Sequence, residues 1–124
     1  MSCYEKLKAL QITLPEVAEP VAAYVMYVRT GNTVYLSGHI AKKDGKPHVG
    51  QFGRNLSVEE GQLAARRIAI DMIATLQAAC DGDLNRVRRI VKVLSLVNST
   101  ADFTEHHLVT NGASELLAEV FGQK

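Results

Sequence analysis

An α+β layer, with helices packed on one face of a sheet, is the fold class this sequence predicts, and three stretches carry the prediction. Residues Tyr24 to Ile40 read as two strand-like runs around Thr30-Gly31-Asn32, Val58 to about Ala79 as a long amphipathic helix, and Ile90 to Val97 as a dense apolar strand. With 124 residues and 47% hydrophobic content, the chain predicts one compact domain, over 1–124, with a small core. Its sheet has one face covered by helices and no second layer for the other, which predicts self-association.

Each element has its own signal. Ser2 to Leu10 predicts a short helix with Tyr4 and Leu7 on one side, before Pro15 and Pro20 force an extended entry. In the hairpin, glycine and asparagine supply the positive φ that a tight turn needs. The Ser37-Gly38 pair that follows lets another backbone or a ligand approach closely, with the serine hydroxyl as a polar contact. Lys42 to Pro47 is a polar turn, and Gln51 to Asn55 a loop or bulged edge. Ser57 with Glu60 is a capping-box signature that opens the long helix. Leu63, Ile68, Ile70, Met72, Ile73 and Leu76 form its apolar face, and Asp81-Gly82-Asp83 ends it through a left-handed glycine. Val87 to Val97 predicts a central strand buried on both faces. Asp102 and Glu105 suit the start of a last helix, but Asn111-Gly112 predicts a break, leaving Ala113 to Phe121 as its regular part.

Several of these pieces, in this order, resemble the RidA/YjgF family, historically labelled the endoribonuclease L-PSP family. The matches are Tyr24, Leu36-Ser37-Gly38-His39-Ile40, Ser57 to Arg66, Leu84-Asn85-Arg86-Val87 leading into Ile90 to Val97, Asp102-Phe103, and Leu116 to Gly122. The resemblance implies the chorismate-mutase-like (RidA-type) fold and a homotrimer with a ligand cleft at each subunit boundary. It also implies hydrolysis of an enamine or imine of a 2-keto acid, without a cofactor. Residues 1–15 read as an N-terminal extension of a divergent branch. Family members continue past the Phe-Gly end into two further strands, bearing an arginine that grips the substrate carboxylate and a water-positioning glutamate. Neither has a counterpart in this sequence. Either the sequence is a piece of a longer chain, or the two strands have been lost, or the protein cannot do the family's chemistry; two readings stay open, a deaminase of reactive enamine or imine intermediates and a non-catalytic small-molecule-binding trimer.

By the same resemblance Tyr24, Ser37 and Gly38 line the cleft and orient a small carboxylate-bearing molecule, His39 stands where the family usually has glutamine, and Asn111 or Ser114 are further possible donors. No catalytic residue is assigned. Arg29 and Arg54 read as solvated arginines, and the adjacent His106 and His107 point too far apart on a helix to share a ligand, so no metal site is expected. A formal charge of +1 gives no field for nucleic acid or membranes. The cluster Arg86, Arg88, Arg89 and Lys92 has no interleaved aromatic for base stacking, so ribonuclease is the weakest reading. Cys3 and Cys80 sit in no metal or redox spacing, and no signal-peptide core or bilayer-length apolar run is present, so a cytoplasmic protein with reduced thiols is expected.

Overall fold

The computed structural model describes residues 2–17 and 22–122, so the entry expected at Pro20 lies outside the described residues. The elements run α1 (Cys3–Ala9), β1 (Tyr27–Thr30), β2 (Thr33–Leu36), β3 (Lys42–Lys43), β4 (Lys46–Pro47), α2 (Val58–Ala79), a 3-10 turn (Leu84–Arg86) and α3 (His106–Phe121). The class is α+β, as the pattern predicts: helices combined with small antiparallel sheets. Two compact units result, Met1–His39 with Ile70–Arg88 and Ile40–Ala69 with Arg89–Lys124. Helix α2 contributes its last turns to the first unit and its opening turns to the second.

In the first unit, Ser2 caps α1 by accepting the Glu5 N–H at 3.1 Å, and Leu7 is buried. Both helices end the same way. Gln11 (φ 58°) follows α1 and Asp81 (φ 55°) follows α2 in the left-handed region. The next N–H reaches back to Leu7 and Gln77 respectively, at 2.9 and 2.8 Å. These are Schellman closures with non-glycine residues at the left-handed position. The left turn after α2 therefore begins at Asp81, one residue before the glycine that the sequence suggests, and Gly82 (φ 90°) continues it.

Tyr4 fastens α1 to the end of α2. Its hydroxyl lies 2.8 Å from the Gln77 side-chain amide and 2.9 Å from the Gly82 carbonyl, either of which takes its one hydrogen, and it accepts the Leu84 N–H at 3.0 Å. Asn85 adds a bond from the Cys3 N–H to its Oδ1 at 3.0 Å. Around this junction Ile73, Leu76, Cys80 and Leu84 are buried. Burial also pushes the Cys3 thiol above its ordinary value.

Strands β1 and β2 pair antiparallel, Tyr27 opposite Leu36 through Thr30 opposite Thr33. Of the two loop residues only Gly31 has positive φ (57°), the φ pattern of a type II′ turn, so asparagine carries none of the strain.

In the second unit, β3 and β4 form a short hairpin whose loop residues Asp44 and Gly45 are both left-handed, as in a type I′ turn. The predicted capping box is present: Ser57 Oγ accepts the Glu60 N–H at 3.1 Å, and Glu60 Oε1 accepts the Ser57 N–H at 3.3 Å. Phe52, Ala69, Val109, Ala113, Leu116, Leu117 and Val120 are buried. Phe52 bridges to the segment after Val97, its N–H donating to the Asn98 carbonyl and its carbonyl accepting the Thr100 N–H, both at 2.9 Å.

Three expectations are corrected. Val87 to Val97 forms no strand among the described residues: Val91, Leu94 and Leu96 are 82%, 77% and 89% exposed. A strand exists only against a neighbour's N–H and C=O groups, and the nearest bridge made here lies beyond the run, at Ser99 with Phe52. Leu63 is exposed rather than part of the buried stripe of α2. Asn111-Gly112 does not break α3, which runs from His106 to Phe121.

The reason for Gly112 is packing. A Cβ there would collide with the Gln62 backbone, and Gly61 likewise leaves room for the Phe52 ring and Val109. The glycines let α2 and α3 meet backbone to backbone, and Gln62 Nε2 donates to the Leu108 carbonyl at 3.0 Å.

At an open helical site glycine to alanine stabilises by about 0.5–1 kcal/mol. Gly112→Ala is expected to destabilise instead, by about 1–3 kcal/mol as an overpacking change, read as a lower urea midpoint. Tyr4→Phe removes a partner from Leu84 N–H and Gly82 C=O and is expected to cost about 0.5–1.5 kcal/mol. Faster amide exchange at Leu84 is its local signature.

Candidate functional site

The strand-end pair predicted as a pocket floor sits where β2 runs out. The Ser37 N–H still pairs with the Met26 carbonyl at 2.8 Å, extending the ladder by one bond. The Ser37 hydroxyl donates to the Val25 carbonyl, so its hydrogen is engaged locally and only its lone pairs are left to accept. Gly38 is different. Its N–H has no backbone acceptor among the described residues, and nothing lies within 4 Å of where its Cβ would stand. A backbone donor without a backbone acceptor, at an exposed glycine with open space where a side chain would stand, is suited to an approaching anionic oxygen.

His39 turns inward. Its Nδ1 lies 2.8 Å from the Ser37 carbonyl and its Nε2 2.9 Å from Thr75 Oγ1. Thr75, on α2, is fully buried, and its hydroxyl is also 3.2 Å from the Asp71 carbonyl one turn earlier. Thus His39 ties the hairpin end to a helix and does not present a free ring nitrogen. Sequence reasoning passed over Thr75; the available signal was a hydroxyl between Ala74 and Leu76 on the buried stripe, where it needs a partner.

Tyr24 is 43% exposed and immediately precedes the Val25 carbonyl that receives the Ser37 hydroxyl. Tyr24, Ser37, Gly38 and His39 therefore belong to the first unit, at one end of the hairpin. Asn111 and Ser114 belong to α3 in the second. Asn111 is half-buried beside the Gly112 crossing; Ser114 is exposed in a shallow hollow with Glu115, Ala118 and Glu119. Carboxylates on both sides make that hollow unfavourable to a carboxylate ligand.

Other polar groups are engaged locally. His106 Nε2 is 2.8 Å from Ser99 Oγ, and its ring meets Phe103 edge to face at 5.0 Å, a packing role within the expected range. Arg86 pairs with the Asp81 carboxylate at 2.9 Å, which offsets one charge of the basic cluster. Among the described residues no three His, Cys, Asp or Glu side chains converge as metal ligands, and no helix is long and apolar enough to cross a membrane.

Asp102 takes the Thr100 hydroxyl at 2.7 Å, and this bond, with one from its own backbone, holds its carboxyl below the usual value of 3.8. A depressed folded value stabilises the fold above the unfolded titration range, and that contribution disappears as pH falls through the folded one. Thr100→Val is expected to raise the Asp102 titration towards 3.8, followed by carboxyl 13C shifts.

Comparison with known proteins agrees with this architecture. Residues 4–124 match the family described as "YjgF/chorismate_mutase-like, putative endoribonuclease". Protein TCP17 of Trypanosoma cruzi is 46% identical over 119 residues, covering 95% of this chain and 74% of that protein. The crystal structure of Atu1372 from Agrobacterium tumefaciens, a protein of unknown function, superposes with a TM-score of 0.85 at 39% identity, covering 98% of this chain and 73% of that one. A Shewanella oneidensis protein described as a "putative endoribonuclease" gives a TM-score of 0.92 at 34% identity, covering 98% and 81%. With the family match running nearly end to end and the fold shared at these scores, the chain belongs to the YjgF/chorismate-mutase-like family.

Proposed function

We propose that this protein binds a small carboxylate-bearing molecule at the Ser37-Gly38 end of β2 and hydrolyses a reactive enamine or imine of a 2-keto acid. The enamine first tautomerises to the imine, a proton moving from nitrogen to carbon; water then adds across the C=N bond, and the carbinolamine expels ammonia to leave the keto acid. The observation that carries the reading is Gly38, an exposed residue whose N–H has no acceptor among the described residues, at the hairpin end where Tyr24 is also exposed. Such chemistry needs a held carboxylate, a positioned water and a group that manages protons. A homotrimer completes the cleft in this reading. Val25, Val28 and Tyr35, all more than half exposed on the hairpin, are surface that a subunit boundary would cover. A cytoplasmic location accords with the free thiols of Cys3 and Cys80.

A second reading, binding without turnover, has its own support. The Ser37 hydroxyl and both His39 ring nitrogens already have partners, so the Gly38 N–H and the exposed Tyr24 side chain are what this end of the hairpin offers, enough to hold an anion. RNA cleavage is less favoured, because Arg86 is already paired with Asp81.

The test is ammonia release from 2-iminobutanoate generated in situ by an amino-acid oxidase, alongside the Gly38 amide shift on adding 2-oxobutanoate. Ammonia above the enzyme-free rate with a shifted Gly38 amide supports the deaminase. A shifted amide without ammonia supports the binding module, and neither response removes both.

A further inference from the structure

The hydrogen-bond chain behind Ser37-Gly38 has a donor and acceptor pattern that assigns each hydrogen. The Ser37 carbonyl can only accept, so the 2.8 Å contact requires a hydrogen on His39 Nδ1. In the uncharged ring Nε2 is then a bare lone pair. It faces Thr75 Oγ1 at 2.9 Å, and the Thr75 hydroxyl has one hydrogen to give. Were that hydrogen turned to the Asp71 carbonyl, at the longer 3.2 Å, two lone pairs would oppose each other beside a fully buried side chain. The hydrogen therefore goes to Nε2. The Asp71 carbonyl gives up little, since it accepts the helical N–H of Thr75 as part of α2.

We propose that Thr75 is a positioning residue: it holds neutral His39 as the Nδ1–H tautomer, and through it the Ser37 carbonyl, so that the following Gly38 N–H stays presented to an anionic ligand. The peptide unit joining Ser37 to Gly38 is a rigid plane, so fixing its carbonyl oxygen also fixes the direction of its N–H. The Ser37 hydroxyl on Val25 and the Ser37 N–H on Met26 restrain the residue from the strand side, and His39 restrains it from the helix side. Ligand presentation rests on the function proposed above; the tautomer and the restraint do not.

The two parts separate experimentally. Long-range 1H–15N correlation of the uncharged His39 ring in the full chain is expected to show the Nδ1–H form. A predominant Nε2–H form overturns the proposal without any ligand being present. Thr75→Val keeps the shape and removes the donor; it is expected to release the ring, shift its population towards Nε2–H, and move the Gly38 amide signal. Thr75→Ser restores the hydroxyl and is expected to restore both signatures, which a purely volumetric role for Thr75 would not do. If Thr75→Val leaves the tautomer and the Gly38 amide as in the wild type, the proposal fails. Titration with 2-oxobutanoate then reads the other part: a wild-type Nδ1–H ring with no Gly38 response keeps the positioning chain and discards the ligand.

Discussion

Burial of the apolar stripe of α2 is the constraint on which the rest depends. Ala69, Ile73 and Thr75 have no measurable exposure, and Ala74 and Leu76 are nearly as enclosed. Hydrophobic surface of this kind supplies the main driving force of a small fold, at roughly 25 cal/mol per Å² removed from water. It also dictates terms to any polar group on the same stripe. Thr75 is the buried polar residue there, and a hydroxyl in such a place costs free energy unless it is bonded. His39 meets that need. A requirement of the core is thus transmitted to the end of the hairpin, where the candidate ligand contact lies.

The opening turns of α2 work differently. There the helix meets α3 through glycines, with Gly61 making room for Phe52 and Val109 and Gly112 lying on the Gln62 backbone. Close approach of this kind replaces side-chain interdigitation by main-chain contact, which tolerates almost no added volume. The intrinsic cost of a glycine inside a helix, of the order of 1 kcal/mol against alanine, is offset by that contact and by the Gln62 bond to Leu108. The segment after Val97, clipped by Phe52 to Asn98 and Thr100, and the Phe52 to Phe103 stacking at 5.5 Å, complete the surroundings of the start of α3.

Tyr24 and the Ser37-Gly38 pair are singled out in the sequence by resemblance to the family's strand pattern; taken alone, each reads as the start or the end of a strand. Two things were hidden. That the Ser37 hydroxyl bonds Val25, twelve residues back, depends on register, and the partner of a buried threonine thirty-six residues from His39 depends on how the hairpin meets α2. Neither leaves a mark on local spacing.

By itself, the sequence determined those features whose causes lie within a few residues of each other. These are the capping box at Ser57 and Glu60, the tight hairpin turn at Gly31 and the helix-forming run to Ala79. Tertiary structure decided what needs a distant partner. Ile90 to Val97 has the composition of a strand, but composition cannot supply the neighbouring backbone that makes one. Gly112 reads locally as a helix breaker, and becomes a packing residue only once the Gln62 backbone lies against it. In both cases the deciding energy belongs to a contact between segments far apart in the chain, which local propensity does not contain.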